Sequence, residues 1–426
     1  MAEMRFPEGF LWGAATSSHQ VEGGNHNDWT AWEQANAERL AGEAKNRQWP
    51  DFILKNYPTP LQPENYLSGR ATDHYHRFHE DFDIAKRLGH TAHRFSIEWS
   101  RIEPEEGKFN EAEIEHYRKV ISALRELGME PFVTLWHWTL PLWVRGQGGW
   151  ENKKTVADFA LYVERVVSEF KDSVQFWMPL NEPSSYTGVA YVVGIFPPNV
   201  RSFRRANRVF RNLVLANRRA YEVIHRIALQ AKVGVGNYLV YHTPYRNYPW
   251  NRVAVALFDY FRNWRFLNAL NTSQDFIDVQ YYHHDAINFK FGRGRWGPFE
   301  SRNENKWVSE FGWEIYPEGI YHLLKRVARY GKPIYITENG LADSRDSERA
   351  QFIREHLRSL ARAMAEGADV RGYFYWSLLD NFEWASGFWP RFGLVEVDYK
   401  TLERKIRPSA WEYQKIIEAN AVTVAS

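Results

Sequence analysis

Residues 111–136 read EAEIEHYRKVISALRELGMEPFVTLW, and this stretch shows the unit from which the chain is built. Over residues 111–127 apolar side chains recur at helical spacing, and Gly128 follows where a helix C-cap belongs. Pro131–Trp136 is a continuous apolar run, which is typical of a parallel strand that is buried on both faces. The stretch therefore predicts a helix followed by a buried strand.

Units of this kind recur along the whole chain. Amphipathic stretches such as Lys153–Phe170 and Ser347–Glu366 separate eight apolar runs, and there is no low-complexity tract, linker or internal repeat. Eight alternations of strand and helix predict an α/β fold, a single (β/α)8 barrel that forms one domain over residues 1–426. The predicted strands are Leu11–Ala15, His93–Ile97, Pro131–Trp136, Phe176–Asn181, Lys232–Asn237, Phe276–Tyr281, Ile334–Glu338 and Val370–Trp376.

Two stretches need a separate interpretation. The polar, proline-bearing residues Glu38–Arg70 are predicted to be a long loop after the first strand rather than a domain boundary. Asn199–Ile227 carries eight arginines, which only Glu222 opposes, and its apolar residues stand at helical spacing. A helix with a solvated, arginine-rich face is the simpler interpretation. Binding of an anionic polymer is the alternative, for which one basic face is weak evidence.

Composition excludes several classes of protein. The 426 residues include no cysteine, so disulfides, zinc–thiolate sites and cysteine nucleophiles are excluded. Lys and Arg number 54 against 52 Asp and Glu, so the net charge indicates neither a nucleic-acid nor a membrane partner. The longest apolar run, residues 131–144, is shorter than the ~20 residues of a membrane-spanning helix. With no visible secretory signal, a cytoplasmic protein is expected.

Aromatic residues make up 16% of the chain, with 19 Trp, 23 Tyr and 27 Phe. Large rings can fill a core, or they can line a cleft as flat apolar surfaces for sugars or bases. Composition alone leaves both interpretations open.

The ends of the predicted strands carry the polar residues, and in a barrel the active site forms at the C-terminal ends of the strands. Glu182 follows the fourth strand and Glu338 ends the seventh, so the two carboxylates can face each other across one pocket. Paired carboxylates flanked by aromatic rings are what glycoside hydrolysis requires. An aldolase-like or a metal-dependent barrel stays open at this point. Other strand ends contribute Arg94, His137, Trp138, Tyr281, Tyr282 and Trp376.

A series of motifs, in order along nearly the whole chain, resembles glycoside hydrolase family 1, a family of retaining β-glucosidases and β-galactosidases. The motifs are FPEGFLWG at 6–13, QVEG at 20–23, RFS at 94–96, LNEP at 180–183, GWEI at 312–315, ITENG at 336–340 and WSLLDNFEW at 376–384.

The resemblance implies catalytic roles for four residues. Glu182 matches the general acid/base of the family and Glu338 matches its nucleophile. Arg94 and Tyr282 match the residues that orient the nucleophile and keep it ionised. A cation and a phenol donor both favour a charged carboxylate, so this assignment is physically consistent.

The resemblance also implies a set of substrate-binding residues. Asn181 matches the residue that binds the sugar 2-hydroxyl, Trp376 matches the platform under the sugar ring, and Trp313 matches the aromatic residue beside the leaving group. Each could instead have a structural role, such as filling the core or capping a loop. The remaining sugar-binding residues that the resemblance implies are Gln20, His137, Trp138, Glu383, Trp384 and Phe392.

Two groups of histidines raise the question of a metal. His74, His76 and His79 lie close in sequence, and His283 and His284 are adjacent, but no further motif completes a recognisable metal site. The expectation is therefore that the protein binds no metal and needs no cofactor.

These observations predict a retaining β-glycosidase that acts on β-glucosides, with β-galactosides and β-fucosides tolerated. The expected partners are small β-glycosides or short oligosaccharides, and assembly into a homo-oligomer stays open. One alternative is a 6-phospho-β-glycosidase, although Glu383, Pro390 and Phe392 stand where those relatives carry phosphate-binding residues. A non-catalytic sugar-binding barrel is the other alternative, although both glutamates are present.

Overall fold

A computed structural model describes residues 2–294 and 297–424. Eight strands, one of them in two parts, form a curled parallel sheet in which each strand pairs with the next and the last pairs with the first. The strands are β1 (Leu11–Ala15), β2 (Ala92–Ser96), β3 (Glu130–Thr134), β4 (Phe176–Met178), β5 (Lys232–Val233 and Gly236–Tyr238), β6 (Ile277–Gln280), β7 (Ile334–Asn339) and β8 (Val370–Trp376).

The sheet closes into a barrel through β5, which is broken in two. Its first part, Lys232–Val233, pairs with β4, and its second part, Gly236–Tyr238, pairs with β6. The Glu182 backbone N–H donates to the Gly236 carbonyl at 2.9 Å, which connects the end of β4 to the second part of β5. Closure removes the exposed sheet edges, and it places the ends of all eight strands around one opening.

Helices connect the strands in the order expected for a (β/α)8 barrel. They are α1 (His74–Arg87), α2 (Glu111–Glu126), α3 (Lys154–Phe170), α4 (Phe203–Ile227), α5 (the consecutive segments Pro249–Asp259, Tyr260–Trp264 and Arg265–Leu270), α6 (Pro317–Val327), α7 (Arg349–Ala365) and α8 (Pro408–Ala419). The predicted fold is confirmed.

Additional elements decorate this barrel. A long helix, Asp28–Ala44, follows the first strand. Shorter helical segments lie at Ser18–Val21, Asp51–Leu54, Pro63–Tyr66, Trp99–Ile102, Leu142–Gly146, Gly149–Glu151, Pro183–Gly188, Val189–Val193, Tyr245–Asn247, Ala328–Tyr330 and Trp384–Ser386. Antiparallel pairs form between Ala2–Arg5 and Ala421–Val424, between His284–Gly294 and Gly297–Arg302, and between Val395–Val397 and Arg404–Ile406, while Tyr241–Pro244 lies parallel to His284–Gly294.

The prediction of one long loop over Glu38–Arg70 is wrong at its start. The helix Asp28–Ala44 extends into this stretch as far as Ala44, because Ala37 and Ala41 pack against Tyr66 in a small apolar cluster. That packing stabilises the helix through a buried face that is not evident from the polar sequence.

Two apolar layers hold the barrel. Between strands and helices lies the main core, to which Ile334 and Ile336 of β7 contribute. Inside the barrel, the end away from the cleft is filled by the rings of Phe132, Phe176, Phe276, Tyr335 and Phe374. Many of the aromatic residues therefore do fill the core. No helix among the described residues is long and apolar enough to cross a membrane.

The close approach of β1 to β2 yields a test of the fold. A Cβ at Gly13 would lie 2.1 Å from the Ala92 carbonyl oxygen, whereas a Cβ at Gly42 in the helix Asp28–Ala44 would meet no atom within 4 Å. We expect Gly13→Ala to destabilise the protein by roughly 1–3 kcal/mol through overpacking. The matched variant Gly42→Ala should stabilise it by about 0.5–1 kcal/mol, because alanine favours a helix.

Thermal unfolding followed by circular dichroism measures both changes. Equal midpoints for the two variants would contradict the strand packing described here.

Candidate active site

A cleft of about 1380 Å³ opens at the C-terminal ends of the strands. Pockets for small molecules usually enclose roughly 300–1,000 Å³, so this cleft has room for more than one sugar unit. Both Glu182 and Glu338 line it. Of the residues predicted at the strand ends and in the site, all except Arg94 and Tyr281 line the cleft. Arg94 lies fully buried behind Glu338, and Tyr281 belongs to the main core between strands and helices.

Glu338 faces the barrel interior because of a β-bulge. Ile334 and Ile336 of β7 point to the outer core, so strict alternation would also turn Glu338 outward. Between Ile336 and Glu338, however, the pairing with β6 shifts by one residue. An extra residue in one strand re-aims the side chains that follow it, so Glu338 points into the cleft.

Two donors bind the Glu338 carboxylate. The Arg94 guanidinium donates from Nη1 to Oε1, and the Tyr282 hydroxyl donates to Oε2 at 2.6 Å. Arg94 is inaccessible to solvent and Glu338 is nearly so. An unpaired buried charge would be costly, so these contacts favour ionised Glu338 and fix the direction of its oxygens.

The Asn181 amide has a determined orientation. Its Oδ1 accepts from Arg94 Nη2 at 2.6 Å and from Gln280 Nε2 at 2.8 Å, so its Nδ2 must be the atom that faces His137. His137 Nε2 lies 3.0 Å from that donor and therefore accepts. Burial, reinforced by the charge of Arg94, holds the pKa of His137 well below its usual range. Neutral His137 thus carries its proton on Nδ1, which has no partner among the described residues.

Glu182 is presented at a sharp change of direction after β4. Its backbone adopts a left-handed conformation, with φ 42° and ψ 54°, immediately before the helix Pro183–Gly188. Burial, and then the negative charge of Glu338, raise the pKa of Glu182 well above its usual range. Among the described residues, no Lys or Arg is within ion-pair distance of Glu182. The two glutamates therefore occupy opposite electrostatic environments in one cleft.

Glu383 and Gln20 form a second polar group at the rim of the cleft. Gln20 Nε2 donates to Asn381 Oδ1 at 3.0 Å, to the Phe382 carbonyl at 2.8 Å and to Glu383 Oε2 at 3.3 Å. These hydrogen bonds hold the loop after β8 against Gln20, which lies just after the first strand. Burial, and then the charge of Glu338, raise the pKa of Glu383 to about 8.

Aromatic rings form the walls around these polar groups. Trp376 and Phe392 pack with Tyr282 in one buried cluster, against which Trp313 also lies. On another side, the rings of Trp138 and Trp384 are 4.9 Å apart. These rings leave flat apolar faces beside the carboxylates, so they serve the cleft as well as the packing.

Three of the five histidines that raised the question of a metal are hydrogen-bonded to carboxylates instead. His74 Nδ1 lies 2.7 Å from Asp81 Oδ2, and His284 Nδ1 lies 2.7 Å from Glu314 Oε2. His76 likewise contacts Asp73 at 2.6 Å.

Sequence reasoning missed Tyr238, which lies in β5 and lines the cleft. Its hydroxyl is 2.6 Å from His283 Nδ1, and the Arg262 guanidinium lies 4.9 Å from its ring centre. Its position could have indicated this role, because Tyr238 directly follows the predicted strand Lys232–Asn237 and so stands at a strand end. Asp278 was also missed, since a lone acidic residue within a strand carries no motif. It lies inside the barrel below the cleft and accepts a hydrogen bond from Thr337.

Comparisons with known proteins agree with this geometry. The sequence profile described as glycosyl hydrolase family 1 matches residues 2–270 and 265–422. Beta-glucosidase A of Thermotoga maritima is 35% identical, over 98% of this chain and 99% of that protein. A beta-galactosidase of Sulfolobus acidocaldarius is 31% identical, over 98% and 96%. The solved structure of a beta-glycosidase from Pyrococcus horikoshii superposes with a TM-score of 0.87 at 37% identity, over 99% of this chain and 97% of that one.

Proposed function

The chain belongs to glycosyl hydrolase family 1, and we propose that it releases terminal β-glucosyl residues, and also β-galactosyl and β-fucosyl residues, with retention of configuration. The substrates are small β-glycosides or short oligosaccharides. One observation carries the proposal: two buried glutamates share a cleft, and only one of them is bound by a cation and a phenol.

That asymmetry supports different roles for the two glutamates. Glu338, ionised and held by Arg94 and Tyr282, is the nucleophile that attacks the anomeric carbon. Glu182, whose pKa is raised, is the proton donor that protonates the glycosidic oxygen as the bond to the leaving group breaks. The first step therefore forms an ester between Glu338 and the sugar, and it leaves Glu182 as a carboxylate.

The second step reverses these transfers with water. Glu182 takes a proton from the water that attacks the anomeric carbon, and the carboxylate of Glu338 leaves. Loss of the negative charge on Glu338 during the first step lowers the pKa of Glu182, which suits its change from acid to base. Because two carboxylates supply the nucleophile and the proton transfer, this chemistry needs no cofactor.

The sugar-binding roles rest on unpaired polar atoms and on rings. The N–H at His137 Nδ1 is buried and has no hydrogen-bond acceptor among the described residues. A sugar hydroxyl bound in the cleft would accept this hydrogen bond. Asn181 lies between His137 and Arg94 and is positioned to bind the 2-hydroxyl. Trp376 supplies the platform under the sugar ring, while Glu383 and Gln20 bind hydroxyls from the rim.

A phosphorylated sugar is the less favoured substrate, because no cation among the described residues is offered to its phosphate at this part of the cleft. With a pKa of about 8, Glu383 is largely protonated at neutral pH, so it repels a phosphate only weakly. Phe392 and Trp384 are apolar neighbours of this rim and offer no cation to a phosphate.

Two statements about the whole protein stay predictions: that residues 1–426 form one catalytic domain, and that it resides in the cytoplasm. Assembly into a homo-oligomer stays open. The barrel closure and the cleft involve residues from both ends of the chain, which supports the first.

A panel of nitrophenyl glycosides tests the substrate. We expect hydrolysis of the β-glucoside and the β-galactoside, and no measurable hydrolysis of the α-glucoside or of the 6-phospho-β-glucoside. The Glu338→Gln variant, prepared identically, controls for contaminating glycosidases and should be inactive. Activity confined to the phosphorylated or the α-linked substrate would refute the proposal.

Azide rescue tests the two roles. In Glu182→Ala an activated nitrophenyl glucoside should still form the covalent intermediate, whereas glucosides with unactivated leaving groups should lose more, by about 10²–10⁴-fold. Azide needs no base, so it should accelerate turnover of the activated substrate and yield the β-glucosyl azide.

In Glu338→Ala every substrate should lose activity, and azide should enter from the vacated face to give the α-glucosyl azide. NMR of the products distinguishes the two anomers. An α-azide from Glu182→Ala would reverse the assignment.

A further inference from the structure

The helix α5 exposes a row of large apolar side chains. Trp250, Val253, Leu257, Tyr260 and Phe261 recur at the spacing of one helix face, and each is between 49% and 62% exposed. Single exposed apolar residues are common, but a contiguous row on one helix face marks an interaction surface.

The row continues onto the start of α4. The Arg265 guanidinium lies 3.7 Å from the ring centre of Phe210 and 5.7 Å from that of Phe261, so the two helices meet here. Phe203 lies two turns before Phe210 on α4 and is 80% exposed. We call the surface formed by these residues and the α5 row the α4–α5 patch.

Positive charge surrounds the α4–α5 patch. Residues 199–270 contain thirteen Lys and Arg against two acidic residues, Glu222 and Asp259. Asp259 already contacts His242 and Arg326. Near the patch, the exposed side chains of Arg204, Arg208 and Arg211 have no carboxylate within ion-pair distance among the described residues.

We propose that the α4–α5 patch docks the protein onto an anionic lipid surface. Apolar side chains, with Trp and Phe among them, beside unpaired arginines are the combination that binds the interface of a negatively charged bilayer. The arginine-rich helix, which the catalytic chemistry does not use, thereby acquires a role. The near-neutral net charge, from which no membrane partner was predicted, is a sum over the whole chain and does not reveal this local excess of positive charge.

Other occupants fit less well. In a two-fold dimer each copy would present the same surface, which would bring the unpaired arginines of the two copies close together. A nucleic acid would use the arginines and aromatic rings, but Val253 and Leu257 offer nothing to phosphates or bases.

Docking through α5 would place one wall of the cleft near the lipid. Phe258 and Arg262 lie on α5 next to the exposed residues Leu257 and Phe261, and both line the cleft.

Vesicle flotation of the full-length protein tests the proposal. We expect binding to vesicles of phosphatidylglycerol and phosphatidylcholine in equal parts, little binding to pure phosphatidylcholine, and weaker binding at high salt. The triple variant Arg204→Gln/Arg208→Gln/Arg211→Gln should lower the partition coefficient roughly a hundredfold, from about fivefold for each arginine near an anionic surface. Val253→Ser/Leu257→Ser should also lower it.

Matched controls are Leu161→Ser/Leu229→Ser and Arg219→Gln/Arg226→Gln, which remove exposed apolar or basic groups away from the patch. All variants should hydrolyse a soluble nitrophenyl glucoside at the wild-type rate. Binding that ignores lipid charge, or that the patch variants retain, would overturn the proposal. So would a dimer in sedimentation equilibrium that Val253→Ser/Leu257→Ser dissociates, or binding to RNA in place of vesicles.

Discussion

A buried arginine faces a buried glutamate inside a closed barrel, and the rest of the site is built around this ion pair. Removing two charges from water costs several kcal/mol for each ion, which the pair recovers only with good geometry and further hydrogen bonds. Arg94 donates further hydrogen bonds to Asn181 and Thr134, and Glu338 accepts one from Tyr282. The same bonds orient the amide of Asn181, which in turn determines the proton position on His137. A sugar-binding geometry thus follows from satisfying one pair of charges.

The protonation state of the second glutamate, Glu182, follows from the lack of a paired cation among the described residues. Glu182 lies in the same low-dielectric cleft, but its strongest charged neighbour is the negative Glu338. Neutral Glu182 beside ionised Glu338 is the arrangement that retaining hydrolysis needs at its start. When Glu338 becomes an ester, this repulsion ends, so a single change of charge on one residue converts the other from an acid into a base.

Much of this could be predicted from the sequence, because periodicity and strand-end chemistry are local. The strands at Leu11–Ala15 and Val370–Trp376 have the predicted limits, and the residues at the ends of strands converge in one cleft. The break in β5, the bulge that turns Glu338 inward and the helix through Ala41 depend on tertiary pairing, which no local pattern contains. The exposed row on α5 also escaped notice, since apolar spacing alone does not say which face is covered.

The pKa of the Glu182 carboxyl, measured in the wild type and in Glu338→Gln, shows whether the charge of Glu338 keeps Glu182 protonated. Carbon-13 NMR of protein labelled at the glutamate side-chain carboxyl gives the titration, and Glu182→Gln identifies the resonance by its loss. We expect a pKa well above the ordinary value of about 4.3 in the wild type, and a lower one in Glu338→Gln, where burial alone remains to raise it. A Glu182 that titrates at the ordinary value, or one that the Glu338→Gln substitution leaves unchanged, would contradict it.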